Sequence, residues 1–127
     1  MAWNYNRKSS KYGAKKVEYN GMVFDSKREC RRYKELEIIQ QLGLISELRR
    51  QVKFVLIPAQ REPDKIGKRG GRIKGELIER EISYIADFVY IENDKTVVED
   101  AKGMRTPEYV LKRKMMLYFY GIRIKEV

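Results

Sequence analysis

Apolar, aromatic and β-branched residues concentrate in residues 84–91 and again in 96–98, and four polar residues, Glu92-Asn93-Asp94-Lys95, stand between the two runs. This pattern predicts a β-hairpin, because such side chains fit a pleated, half-buried surface and Asn and Asp tolerate a tight turn. Upstream, residues 17–24 carry Asn20-Gly21 at their centre and read as a short hairpin or turn. Ser26-Lys27-Arg28-Glu29 opens a helix with a capping-box pattern, and Gly43 closes it after Leu42. At about 100° per residue, Glu29 falls in line with Leu36 and beside Ile39, on the buried stripe. Within residues 45–57, the run from Val52 to Ile57 predicts a strand bounded by Pro58. Residues 60–75 hold Gly67, Gly70, Gly71 and Gly75 among cations, which excludes a helix interior and leaves a mobile basic loop or the tip of a long hairpin.

Thr106-Pro107-Glu108 gives a second helix its N-cap hydroxyl, first-position proline and first-turn acid, and Gly121 stops it after Tyr120. Leu111, Met115 and Tyr118 form an apolar line on it that Tyr109, Met116, Phe119 and Tyr120 widen, so most of these residues are expected in the core. Residues 122–127 alternate apolar and charged side chains and predict a last strand. Helix, strand, hairpin, helix, strand is the order of a mixed α/β domain. Its predicted extent is residues 17–127, behind a basic, flexible amino-terminal arm, residues 1–16.

Placing Asn93 and Asp94 at the centre of the tight turn pairs Glu92 with Lys95, Tyr90 with Val97, and Asp87 with Asp100. Opposed carboxylates on a ladder lie roughly 4.5 to 5.5 Å apart at Cβ and repel each other, which points to a bound divalent cation. Alternation puts Lys102 on the face of Asp100, and Glu99 and Ala101 on the other. The plainer reading is that Asp87 and Asp100 end strands on a solvated face. Glu29 likewise has two readings: it completes the capping box, or the helix presents it to the same cation.

Composition narrows the chemistry. The chain has 28 Lys and Arg against 18 Asp and Glu, a formal net charge of +10, which favours a polyanionic partner, nucleic acid first. One cysteine and no histidine exclude, within one chain, a disulfide scaffold, a Cys/His zinc site and a histidine-based triad. No apolar run reaches the ~20 residues of a membrane span, and the start of the sequence lacks a signal-peptide core, so the expected compartment is the reduced cytoplasm. The candidate phosphate contacts are Lys15 and Lys16 with Arg7, Lys8 and Lys11 on the arm, Lys68, Arg69, Arg72 and Lys74 on the glycine-rich segment, and Lys112 and Lys114 on the second helix. Trp3, Tyr5 and Tyr12 are available to stack on bases. Lys68-Arg69-Gly70-Gly71-Arg72 lacks the glycine-lysine-hydroxyl ending of a P-loop.

An acid on the first helix (Glu29), an acid on a hairpin strand (Asp87), then Asp-x-Lys on the next strand (Asp100, Lys102) and a following helix together resemble the PD-(D/E)XK nuclease superfamily. Within it, YNGMVFDSKRE, YIADFVY, VVEDAKG and TPEYVLKRKMMLYFYGI are similar to a family of small bacteriophage and prophage proteins of unassigned function, over residues 12 to 127. Ala86 stands where the superfamily commonly has proline and Asp100 where glutamate is commoner; neither change removes a metal ligand. The resemblance implies a restriction-endonuclease-like core, a central mixed β-sheet flanked by helices. It also implies that Mg2+ or Mn2+ is bound by Asp87, Asp100, Glu29 and the Ala101 carbonyl, that Lys102 positions the attacking water, and that the products are a 5′-phosphate and a 3′-hydroxyl. By motif layout it extends to phage Holliday-junction resolvases and the cutting subunits of some transposases. The implied activity is a metal-dependent endonuclease, structure-selective on branched DNA in phage recombination or replication and acting as a homodimer. The rival from another class is a non-catalytic DNA-binding accessory protein, which needs the basic charge but not the acid-acid-lysine set; a purely structural domain needs neither.

Overall fold

The computed structural model describes residues 15–101 and 104–127. Asn20 and Gly21, at φ 52° and 77°, join the antiparallel strands β1 (Val17–Tyr19) and β2 (Met22–Phe24). Ser26 caps α1 (Lys27–Gln41), its hydroxyl accepting from the Glu29 amide at 3.1 Å. Leu42 ends that helix and Gly43, at φ 79°, reverses the chain where a Cβ would be strained.

Strand β3 (Ser46–Ile57) starts six residues before the expected Val52. Its first half is polar in sequence but still packs: Leu48 joins the core under α1, and the Arg50 guanidinium lies 3.9 Å from the centre of the Phe24 ring. The basic segment that follows is a paired arm, the second of the two forms expected for it. β4 (Gln60–Arg61) pairs with β7 (Leu77–Glu79), and β5 (Lys65–Ile66) with β6 (Arg72–Ile73), all antiparallel. Asp64 braces the arm by accepting from the Gly75 amide at 2.9 Å and from Arg72 Nε at 2.5 Å. Gly75 is required there, since a Cβ on it would lie 1.7 Å from the Glu62 carbonyl oxygen.

The central hairpin is β8 (Ile82–Glu92) and β9 (Lys95–Asp100), turned by Asn93 and Asp94 at φ 51° and 63°. Its register runs from Glu92 opposite Lys95, through Tyr90 opposite Val97, to Phe88 opposite Glu99, as the turn chemistry predicts. Thr106 then caps α2 (Pro107–Tyr120), accepting from the Tyr109 amide at 3.1 Å, and Gly121 at φ 66° ends it. β10 (Lys125–Glu126) lies parallel to β9, so the main sheet is mixed and ordered β10-β9-β8-β3. One face packs Phe88 and Tyr90 with Phe24, Cys30, Leu36 and Ile45 under α1. The other packs Val89, Val98, Tyr84 and Ala86 with Tyr109 and Met116 of α2. Cys30 is thus a packing residue.

The apolar line expected on α2 needs correction. Tyr109 and Met116 are buried, with Val110 and Met115 partly so, but Leu111, Phe119 and Tyr120 are exposed and Tyr118 is 82% exposed. The helix presents a narrow stripe to the sheet, and its crowd of apolar side chains extends well beyond that stripe. Tyr120 instead covers the sheet edge, donating to the Val55 carbonyl at 2.7 Å. Among the described residues no helix is long and apolar enough to cross a membrane.

Candidate active site

Strands β3 and β8 both turn over at the same level of the sheet. On β8, Tyr84 and Ala86 face α2, whereas Phe88 and Tyr90 face α1. On β3, Val52, Phe54 and Leu56 pack on the α2 side and Leu48 on the α1 side. The ladder between the strands holds at Val52 opposite Ala86 and at Arg50 opposite Phe88 but has no pair at Gln51 and Asp87. Gln51 sits there at φ 51°, a left-handed corner in the middle of a strand. The departure from the ladder frees the Asp87 side chain, and Asp87 Oδ2 accepts from the Ala101 amide at 2.9 Å.

Asp100 comes from the end of β9 and is buried, 2% exposed, with the Tyr84 hydroxyl donating to its Oδ2 at 2.5 Å. The ladder of the hairpin ends at Phe88 opposite Glu99, one residue short of the expected Asp87–Asp100 pair, and Asp87 instead reaches the amide of Ala101, the residue after Asp100. Glu29, 4% exposed in the first turn of α1, points to the same place. It accepts from Gln51 Nε2 at 3.4 Å and stands 3.6 Å from Arg50 Nη2. Its backbone amide donates to the Ser26 cap, and its side chain is turned towards Gln51 and Arg50. Gln51 Nε2 also stands 3.4 Å from Asp87 Oδ1. Among the described residues no three acidic or cysteine side chains close on a common point as a metal-holding group; Glu29 is held one side chain away, across Gln51.

Burial, then the negative charges of Asp100 and Glu29, push the Asp87 carboxyl up to about 7. Burial and the Asp25 charge raise Glu29 against the pull of Arg50. Burial and the bond to Asp100 raise the Tyr84 hydroxyl. The donor set is all hard oxygen, and its mutual repulsion is of the kind a divalent cation relieves; in that sense the residues fit Mg2+ or Mn2+.

An acid whose native pKa exceeds its unfolded value near 3.9 holds its proton more tightly when folded. Its contribution to stability is full below about pH 4 and is lost as pH rises towards about 7. In EDTA, Asp87→Asn is therefore expected to flatten the decline in urea midpoint across that window. An unchanged decline would show that Asp87 ionises normally. Glu126, held down at about 2 by Arg105 and Tyr109, acts in the opposite direction and at lower pH.

Of the other expected site residues, Lys102 lies outside the described residues, as do Arg7, Lys8, Lys11 and the aromatic residues of the arm. Lys15 and Lys16 are exposed. Lys68 and Arg69 sit at the tip of the β5–β6 turn with Lys74 behind them, all exposed, whereas Arg72 is committed to Asp64. Lys112 pairs with Glu108 at 3.2 Å. Lys114 lines a cleft of about 360 Å³ with Arg113 and Arg123.

Three groups near the acids carry no signal in the sequence pattern: Gln51, Tyr84 and the pair Arg32–Glu99. The last is a buried lock on the opposite face of β9. Arg32 Nε and Nη2 donate to Glu99 at 2.8 and 2.7 Å, and the Tyr90 hydroxyl donates to the same carboxylate. Burial alone would raise Glu99, but the bonds from Arg32 and Tyr90 outweigh it and hold the acid low. A family model described as "Protein of unknown function (DUF1064)" matches residues 9–125. No curated protein and no solved structure matches the chain.

Proposed function

The chain belongs to the DUF1064 family, and from the site itself we propose that it is a metal-dependent endonuclease of PD-(D/E)XK type acting on branched DNA. The observation that carries this reading is the convergence of acids at the open end of the central hairpin: Asp87 accepts from the Ala101 amide, beside Asp100, and Glu29 comes towards it from α1 across Gln51. The order α1, β3, β8, β9, α2, β10, with β10 parallel to β9, supports a restriction-endonuclease-like core. A DNA-binding module without catalysis would use the same basic arm, but it leaves the mutually repelling acids without a reason.

Asp87, Asp100, Glu29 and the Ala101 carbonyl would hold Mg2+ or Mn2+. The ion would supply Lewis-acid stabilisation of charge on the phosphate and a water of lowered pKa. The Ala101 amide orients Asp87 and the Tyr84 hydroxyl orients Asp100, so two acids enter the reaction already aimed. Lys102, two residues after Asp100 in the sequence, is assigned the attacking water. For a branched substrate the proposal includes a two-fold homodimer, which offers one site to each of two strands.

DNA affinity would come from the arm tip, residues 65–74, which has five cations and no acid, helped by Lys15, Lys16 and the Arg113–Lys114–Arg123 cleft. Replacing Lys68, Arg69 and Lys74 by Ala is expected to lower the slope of log affinity against log salt by roughly 0.9 for each phosphate no longer neutralised, about 2 to 3 in all. Binding titrations from low to moderate salt read this directly, and an unchanged slope would take the arm off the DNA. Catalysis is tested by metal-dependent cutting of a labelled four-way junction.

A further inference from the structure

We propose that Gln51 is the positioning residue of this site: its side-chain amide holds Glu29 and Asp87 in their mutual orientation, and its left-handed backbone aims that amide. The proposal rests on the nuclease reading and adds a component to the same site. Nε2 stands 3.4 Å from Glu29 Oε1 and 3.4 Å from Asp87 Oδ1. Both contacts are long for hydrogen bonds, as fits one NH2 group spanning acceptors carried by two different elements, α1 and β8. The two N–H donors of a single amide suffice for the two acids.

The backbone gives independent support. A non-glycine residue at φ 51° carries a steric cost and persists where its surroundings demand it. Here the corner turns β3 over opposite Asp87, at the one level where the β3–β8 ladder skips a pair between Ala86 and Phe88. Glycine would make the same corner without strain, so the turn-over alone does not call for glutamine; the side chain does. The chemistry is also specific to an amide. A lysine or arginine between two carboxylates would serve as their counter-charge, whereas a neutral donor orders them and leaves their negative charge available to a cation. Arg50, the adjacent cation, donates to the Val23 carbonyl at 2.9 Å and stacks on Phe24, and its Nη2 shares Glu29 Oε1 with Gln51 at 3.6 Å; the bridge from Glu29 to Asp87 is made by the Gln51 amide.

Gln51→Gly keeps the corner and removes the amide, and Gln51→Ala removes the amide while keeping the strain. Melting temperature in EDTA, Mn2+ affinity by titration calorimetry, and cleavage kinetics on a four-way junction would be measured for both variants and wild type. The Gly variant is expected to melt ~3 °C above wild type, because the corner is relaxed. Both variants are expected to bind Mn2+ some 10- to 100-fold more weakly, the loss usual for a partner that orients a metal ligand, with kcat falling more than KM rises. Wild-type Mn2+ affinity in the Gly variant would overturn the role of the side chain, and a Gly variant melting below wild type would overturn the strain. A wild type that binds no Mn2+ would instead overturn the nuclease reading itself, so the two failures are distinguishable.

Discussion

Asp100→Asn is expected to reduce DNA cleavage by about 10³-fold without unfolding the protein. Asn has the shape of Asp, and its amide oxygen can still accept from the Tyr84 hydroxyl, which now bonds Asp100 at 2.5 Å. What disappears is one of the two charges that meet at the end of the hairpin. A cation held by carboxylates contributes several kcal/mol to the charge developing on the phosphate, and ~1.4 kcal/mol corresponds to tenfold in rate. The same substitution relieves Asp87 of the nearer repelling charge, so in EDTA the variant should melt no lower than wild type. Loss of activity with retained stability separates a ligand from a packing residue. Normal cleavage by Asp100→Asn would remove Asp100 from the chemistry.

The largest effect on stability is expected from the face of β9 turned away from the acids. Glu99 is fully buried, and Arg32 binds it through two nitrogens. Removing Arg32 strands the fully buried Glu99 charge, which costs about 3 to 5 kcal/mol, so Arg32→Ala should lower the melting temperature by roughly 10 °C or more; Glu99→Ala should cost less, because Arg32 is partly exposed and keeps its pair with Glu35. Replacing both at once with apolar residues, Arg32→Met with Glu99→Leu, should recover most of the loss, because an intact buried pair is itself close to neutral against well-packed hydrophobic substitutes. Chemical denaturation of the single and double variants measures this. A loss under about 1 kcal/mol for each single change is the behaviour of a surface pair and would contradict a buried lock. The lock matters to function because it ties α1, which carries Glu29, to the strand that carries Asp100.

The turn over Asn93 and Asp94 is the most legible feature of the chain. Two adjacent residues that tolerate positive φ specify a tight hairpin, and counting back from them gives the register as far as Phe88 opposite Glu99. Local capping chemistry marks both helices for the same reason: Ser26 and Thr106 each serve an amide three residues away. The turn-over at Gln51 and Asp87 cannot be read in this way. Apolar residues hold the even positions of β8 from Tyr84 to Tyr90 throughout, although the first two face α2 and the last two face α1. Where both faces of a strand are buried, hydrophobic pattern carries no record of a change of face. Arg32 and Glu99 lie 67 residues apart, beyond any spacing argument. On α2 the pattern misleads, since Tyr118 and Phe119 look like core and are exposed. The one hint of Gln51 in the sequence is its place between two arginines and an apolar strand, which does not distinguish it from an ordinary strand start.

The most direct test of the nuclease proposal is cleavage of labelled four-way junction, flap, linear duplex and single-stranded DNA in Mg2+, Mn2+ or EDTA, comparing wild type with Lys102→Ala. The expected result is cutting that requires the metal, favours branched DNA and disappears in the variant. Salt-sensitive binding with no cutting in either metal would contradict it and leave the protein a DNA-binding module whose buried acids serve another purpose.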